Sequence, residues 1–234
     1  MESKVDPEVD AIRGRYARRG VALDAKREDA LDPANYLYRQ EKERAVIRWL
    51  KGSGLTPATA SVLEVGCGSG KNLLQLLMLG FRPENLVGND LIEACAASAR
   101  HHLPTAVRVV AGDASTLELD ASFDVVLQST VFSSILDDGF QAALAKQMWS
   151  WVRPGGGVLW YDFTFNNPQN PDVRGVPVQR VRELFPDGEL AFWRVGLAPP
   201  VRRLVTRAHP RLYSLFNLTP ALRTHVLCWV KKAR

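Results

Sequence analysis

The sequence predicts an α/β fold built on a parallel sheet, and three observations carry that prediction. Ser61-Val62-Leu63-Glu64-Val65-Gly66-Cys67-Gly68-Ser69-Gly70-Lys71-Asn72 runs from an apolar strand through glycines at alternate positions into a helix bearing Leu73, Leu74, Leu76 and Leu77. Phe123-Asp124-Val125-Val126-Leu127 is an almost continuous apolar run, as expected of a strand covered by helices on both faces. Phe140, Ala143, Leu144, Gln147, Met148 and Trp151 follow helical spacing between that strand and the next, as a helix packed on a sheet requires.

The elements follow in order. Residues 1–30 are polar, with arginines at 13, 15, 18 and 19, and are expected to be partly helical. Pro33 opens a helix over 34–51 with Tyr38, Ala45, Ile47, Trp49 and Leu50 among its larger residues, and Gly52-Ser53-Gly54 ends it as glycines commonly do. After the first strand, 85–90 reads as a short buried strand ending in Asn89-Asp90, with a helix-like stretch over 91–100. A third strand over 107–111 leads into Gly112-Asp113-Ala114, and the fourth delivers Gln128, Ser129, Thr130 and Val131 at its carboxyl end. Trp151-Val152-Arg153-Pro154-Gly155-Gly156-Gly157 turns into a fifth strand that reaches Asp162. Beyond it, 163–171 carries too much Asn and Pro for regular structure and reads as a loop. A helix over 178–185, a strand over 189–195, a helical segment over 198–216 interrupted at Pro210 and a last strand over 222–230 complete the chain.

The glycine-rich turn carries the chemistry. Glycine lets the chain turn sharply and lets a ligand lie against bare backbone. The helix N-terminus beyond it offers free N–H groups to an anion. Glu64 discriminates between ligands, because it would repel a pyrophosphate yet can accept a hydrogen bond from an ammonium group. The spacing is E-x-G-x-G-x-G, not the G-x-G-x-x-G of dinucleotide binders, which argues against a nicotinamide oxidoreductase.

This element resembles motif I of the class I S-adenosylmethionine (SAM)-dependent methyltransferases, and four further signals over 62–162 fall in that family's order. The resemblance implies a seven-stranded, mostly parallel Rossmann-like sheet with helices on both faces and the last strand antiparallel beside the fifth. It also implies an N-terminal helical cap (1–60) over the cofactor, and a SAM-binding core (61–234) with the inserted helical segment near 198–216. The expected cofactor set is Glu64, Gly66, Cys67, Gly68, Gly70 and Asn72 around the methionine part, and Asp90 with Leu91 at the ribose hydroxyls. Asp113 with Ala114 is expected at the adenine, and Gln128, Ser129 and Val131 at the methionine side. Asn89 is the alternative to Asp90, one position earlier. Asp113 has an alternative role capping the turn that begins at Ala114. Cys67 reads as a wall residue lending its backbone. Tyr16, Tyr36, Tyr38 and Arg39 lie where a cap could reach the cofactor, with ordinary packing as the alternative.

Methyl transfer asks mainly for in-line positioning, and a base only where the acceptor must lose a proton. His225 and Asp162 are the candidates, since an antiparallel last strand would begin at the carboxyl edge of strand five and bring them near each other. No metal is expected, because strand four ends in Gln128-Ser129 and offers no carboxylate to partner Asp162. The same Gln128-Ser129-Thr130-Val131 run lacks the Pro-Pro-aromatic sequence of nucleobase-amine methyltransferases, and no cysteine follows a proline as cytosine C5 chemistry needs. The run 161–174, with Leu197-Ala198-Pro199-Pro200 and Leu222-Arg223-Thr224-His225, resembles bacterial methyltransferases of surface-polysaccharide and glycan biosynthesis, which implies a sugar hydroxyl or glycan phosphate as acceptor. A small-molecule natural product, or a non-catalytic SAM-binding partner subunit, are the alternatives. Arg202, Arg203, Arg207 and Arg211 suit either an anionic substrate or a solvated helix face.

Composition bounds the setting. A length of 234 residues fits one α/β domain with extensions. The net charge of +5 is mostly arginine and reads as a solvated surface, so nucleic acid is not an expected partner. Three scattered cysteines form neither a disulfide framework nor a metal site and suit a reducing cytoplasm. Met1-Glu2-Ser3-Lys4-Val5-Asp6 has no apolar core of a signal peptide, and no run approaches the ~20 apolar residues of a membrane span.

Overall fold

In a computed structural model, residues 6–29, 31–119, 122–168 and 170–233 are described, with only the backbone of 19–28. Residues 1–5, on which most of the signal-peptide reading rests, the side chain of Arg19, and Gln169 of the Asn/Pro loop lie outside them.

Two helices precede the sheet. Helix α1 (Pro7–Glu28) starts at Asp6, whose carboxylate accepts from the Glu8 N–H, and α2 (Pro33–Ser53) starts at Asp32, which accepts from Asn35. Both carry proline in the first turn, where its missing N–H costs nothing. Gly54 stops α2 in the left-handed region.

The sheet then forms from β1 (Val62–Val65), β2 (Leu86–Asp90), β3 (Arg108–Ala111), β4 (Phe123–Ser129), β5 (Val152–Phe163), β6 (Glu189–Leu197) and β7 (Arg223–Lys231). Its order is β3-β2-β1-β4-β5-β7-β6, with β7 antiparallel to both neighbours and the β3-β2-β1-β4-β5 pairings parallel. The chain reverses direction across the sheet between β1 and β4, the switch point at which open α/β sheets bind ligands.

Helices α3 (Lys71–Met78), α4 (Glu93–His102), α5 (Asp138–Trp151) and α6 (Val178–Leu184) clothe the two faces. One core layer joins Val158 and Trp160 of β5 to Phe140 and Leu144 of α5 and Val181 of α6. The other joins Leu159 and Tyr161 to Trp49 of α2, Leu73 of α3 and Trp229 of β7. Successive strand residues point to opposite faces, so a strand covered on both must be apolar throughout, and this is why β4 reads as a continuous run. After β6 come α7 (Pro199–Ala208) and α8 (Leu212–Phe216), broken near Pro210. With Leu197 of β6, Val205 of α7 and Tyr213 of α8 form a small separate core.

Candidate functional site

The turn after β1 is shaped by three left-handed glycines. Gly66, Gly68 and Gly70 have φ of 69°, 55° and 83°. At Gly66 a Cβ would sit 2.3 Å from Val131 Cγ2, so the turn closes against the loop after β4 only without a side chain. At Gly68 a Cβ would meet nothing within 4 Å, so the same turn presents bare backbone to open space. The Gly68 N–H donates to Asp90 Oδ2 at 2.8 Å, and Asp90 Oδ1 accepts from Ile92 N–H at 2.9 Å. Burial pushes the Asp90 carboxyl up, with these two bonds opposing. Asn89 instead ties β2 to β3 and the turn after it, donating to Val110 O and Gly112 O.

Glu64 is fully buried at the end of β1. Its Oε1 accepts from Asn72 Nδ2 at 2.5 Å, while Oε2 has no hydrogen-bond partner. Burial raises its pKa, opposed by Asn72 and by the nearby Lys42 ammonium. Lys42 comes from α2 and donates to Asn72 Oδ1 at 2.9 Å and to Ser129 Oγ at 3.0 Å, with burial holding its pKa down. A buried carboxylate oxygen left without a donor is costly, and an ammonium group is the partner that fits it.

An apolar cleft opens beside this turn. Gly66, Asp90, Leu91, Asp113, Ala114 and Val131 are among its walls, and Ile12 and Tyr16 of α1 close it. Asp113 accepts from Ser115 N–H and Ser115 Oγ, both at 2.8 Å, so its carboxylate holds the turn while facing the cleft. Helix α1 is clamped in place by Glu8, which accepts from Leu136 N–H at 2.8 Å and from Arg15 Nη2 at 2.5 Å. Arg15 also donates to Ser134 O.

Gln128 and Asp162 turn out differently from expectation, whereas Cys67 keeps its place as a wall residue. Gln128 is fully buried and its carboxamide serves the backbone, donating to Tyr161 O and accepting from Val131 N–H, so its side chain does not line the cleft. Cys67 faces the core, and burial pushes its thiol up. The expectation that Asp162 and His225 share a site fails on register. Asp162 pairs with Val226, and His225 pairs with Phe163, one residue on. A one-residue offset puts the two side chains on opposite faces of the sheet. Asp162 lies wholly buried under the turn Phe132–Ser134, accepting from Ser133 N–H at 3.1 Å and Phe163 N–H at 3.0 Å. It holds backbone there.

His225 faces the other way, into an aromatic group. Its ring stacks on Tyr161 at 5.4 Å and lies edge-on to Tyr38 at 5.3 Å. The Tyr38 and Tyr161 hydroxyls are 2.5 Å apart. Burial first, then the Arg202 and Lys42 charges, lowers the His225 pKa to about 3. Burial raises both phenols as well, Tyr38 to about 12, so the ring cluster is neutral at ordinary pH. Lys42 Nζ lies 4.5 Å over the Tyr161 ring, and the Arg202 guanidinium 4.3 Å over that of Tyr38. Arg203, Arg207 and Arg211 are exposed, whereas Arg202 turns inward. Thr130, just past β4, is the one non-glycine residue at positive φ (61°) among those described, a strained position of the kind found at functional sites. Lys42 was not foreseen in the sequence; the only signal was a lysine set among the aromatic residues of a half-buried helix.

Comparison with known proteins bears on these features. Residues 62–156 match a family described as a methyltransferase domain. That stretch is similar to a methyltransferase domain. It takes in the glycine turn, both β2 and β3 and the whole of β4. The chain is 30% identical over 169 residues to Trans-aconitate 2-methyltransferase of Acidovorax ebreus (strain TPSY), covering 71% of this chain and 59% of that protein. It is 30% identical over 151 residues to the protein of the same name from Variovorax paradoxus (strain S110), covering 64% and 53%. The chain thus spans little more than half the length of these relatives. The solved magnesium protoporphyrin IX methyltransferase of Synechocystis PCC 6803, with bound SAH (S-adenosylhomocysteine), superposes with a TM-score of 0.65 at 14% identity, over 95% of this chain and 100% of that one. At that identity the likeness shows the methyltransferase fold alone. Among the described residues no group of three His, Cys, Asp or Glu could hold a metal, and no helix is long and apolar enough to cross a membrane.

Proposed function

We propose that this chain binds SAM in the cleft between β1, β2 and β4 and transfers its methyl group to a small acceptor beside Tyr38, Tyr161 and His225. The single observation that carries the reading is the open Oε2 of buried Glu64, set next to a left-handed glycine turn. Glu64 would hold the cofactor's ammonium, Gly66 and Gly68 would offer backbone, and Asp90 would take the ribose hydroxyls. Bound SAM supplies a methyl group already activated on sulfonium.

The protein's own part is positioning and exclusion of water. Asn72 fixes the Glu64 carboxylate. Helix α1 covers the cleft through Ile12 and Tyr16. Relatives named for trans-aconitate and a methyltransferase domain over the cofactor half support the reading. A sugar or glycan hydroxyl fits less well as acceptor than expected, because it would need a base. Asp162 faces away, and His225 is too weakly basic at a pKa of about 3 to draw a proton efficiently.

Calorimetry tests the cofactor. SAM and SAH should bind and NAD should not, and Glu64→Ala should weaken SAM binding by about 1.5–3 kcal/mol, the range for a hydrogen bond to a charged group. Heat with NAD and none with SAM or SAH would refute the proposal.

A further inference from the structure

We infer that the acceptor is a small carboxylate, and that Lys42 and Arg202 are the residues that select it; this rests on the methyl-transfer reading above. The two cations flank one aromatic pair, Lys42 over Tyr161 and Arg202 over Tyr38, whose hydroxyls meet at 2.5 Å. Both are half-buried, and each is bonded only to neutral groups: Lys42 to Asn72 and Ser129, Arg202 to Asn35 at 3.3 Å. Among the described residues neither has a carboxylate oxygen within 4.0 Å. Glu41, the acid beside Lys42 in sequence, accepts from the Tyr213 hydroxyl at 2.7 Å instead. Arg202 Nε has no hydrogen-bond partner.

Cations withdrawn from water are costly unless a counter-charge compensates them. Here the nearby acids are already engaged: Glu64, whose charge acts on Lys42, is the carboxylate proposed to take the cofactor's ammonium, and Glu41 is bonded to Tyr213. A neutral acceptor would leave both uncompensated when the site closes, and their charge would add to that of a sulfonium. A carboxylate offsets all three, and the guanidinium fork matches its two oxygens. The transfer then balances without a base. An O–C bond forms as the C–S bond breaks, the bonding pair stays with sulfur, and the ionised carboxylate has no proton to lose. This agrees with a cluster that presents only neutral phenols and a weakly basic imidazole.

The test uses the whole chain with small di- and tricarboxylic acids and with their amides, by calorimetry in the absence and presence of SAH. Product is then analysed with methyl-labelled SAM. At least one acid should bind and its amide should not. The label should be released as methanol by mild alkali, as a methyl ester is. Arg202→Gln and Lys42→Gln should each weaken acid binding roughly ten- to hundred-fold and raise KM more than they lower kcat. Arg202→Lys should restore part of the loss, and Arg202→Gln should keep SAH affinity, showing a folded cofactor half. SAH binding with no acid bound, or an alkali-stable methyl ether on a neutral hydroxyl, overturns the carboxylate assignment and leaves the cofactor reading standing. Absence of SAH binding to the unaltered chain overturns both.

Discussion

Glu64 has one oxygen committed to Asn72 and one open, and burial raises its pKa. A ligand ammonium needs the ionised form. SAM binding at neutral pH should therefore release a proton, and affinity should rise with pH through the raised pKa of Glu64. Calorimetry in buffers of different ionisation enthalpy reads that proton directly; an enthalpy independent of buffer would show Glu64 already ionised. Asp162 makes the opposite case, an acid that supports structure. Its folded pKa, about 7 through burial, lies above the unfolded value of about 3.9. Its contribution to stability is thus full below the unfolded pKa and is lost as pH rises through about 7. Asp162→Asn should flatten the fall in melting temperature between pH 4 and 8. Asp162→Ala leaves two backbone N–H groups without their acceptor and should cost about 1–3 kcal/mol for each. A full-strength fold in Asp162→Ala would return the residue to the list of catalytic candidates.

Glu8 is a central clamp that holds helix α1 at the site. Glu8 receives both the Leu136 N–H and the Arg15 guanidinium, and these hold Ile12 and Tyr16 over the cleft. Glu8→Ala should speed amide exchange along α1, measured by mass spectrometry, and weaken SAH binding severalfold, while β1 and β4 exchange as before. Elements were the most legible level of the sequence. The glycine turn, the continuous run of β4 and the broken helices of 198–216 are local signals, because special φ values, two-sided burial and a proline each leave a mark on neighbouring residues. The site was less legible where it depends on how elements meet. The placing of Asp162 turned on a single residue of register between β5 and β7, which no local pattern encodes. Lys42 and Arg202 sit on helices whose inward faces are set by docking; nothing in the spacing of Arg202, Arg203, Arg207 and Arg211 marks the first of them as the one that turns in.

Across the whole molecule, the strand-order switch between β1 and β4 gathers the proposed cofactor residues on one edge, and the proposed acceptor residues come from α2, β5, β7 and α7. Among the described residues no carboxylate cluster could hold a metal: Asp162 faces away and Gln128 is internally bonded. Turnover should survive exhaustive chelation and gain nothing from added magnesium. Loss on chelation with recovery in magnesium would contradict this arrangement.

Strand β6 touches the sheet only through β7, which follows it in the chain. While the polypeptide is being made, everything needed for the β3-β2-β1-β4-β5 half has left the ribosome before β7 exists. Strand β6, which leads into α7, has no strand partner in the sheet until then. The proposed cofactor and acceptor sites are therefore completed at different times. A nascent chain can shelter the first behind its own helices long before residues 223–231 zip β6 onto β5 and bring Arg202 to Tyr38.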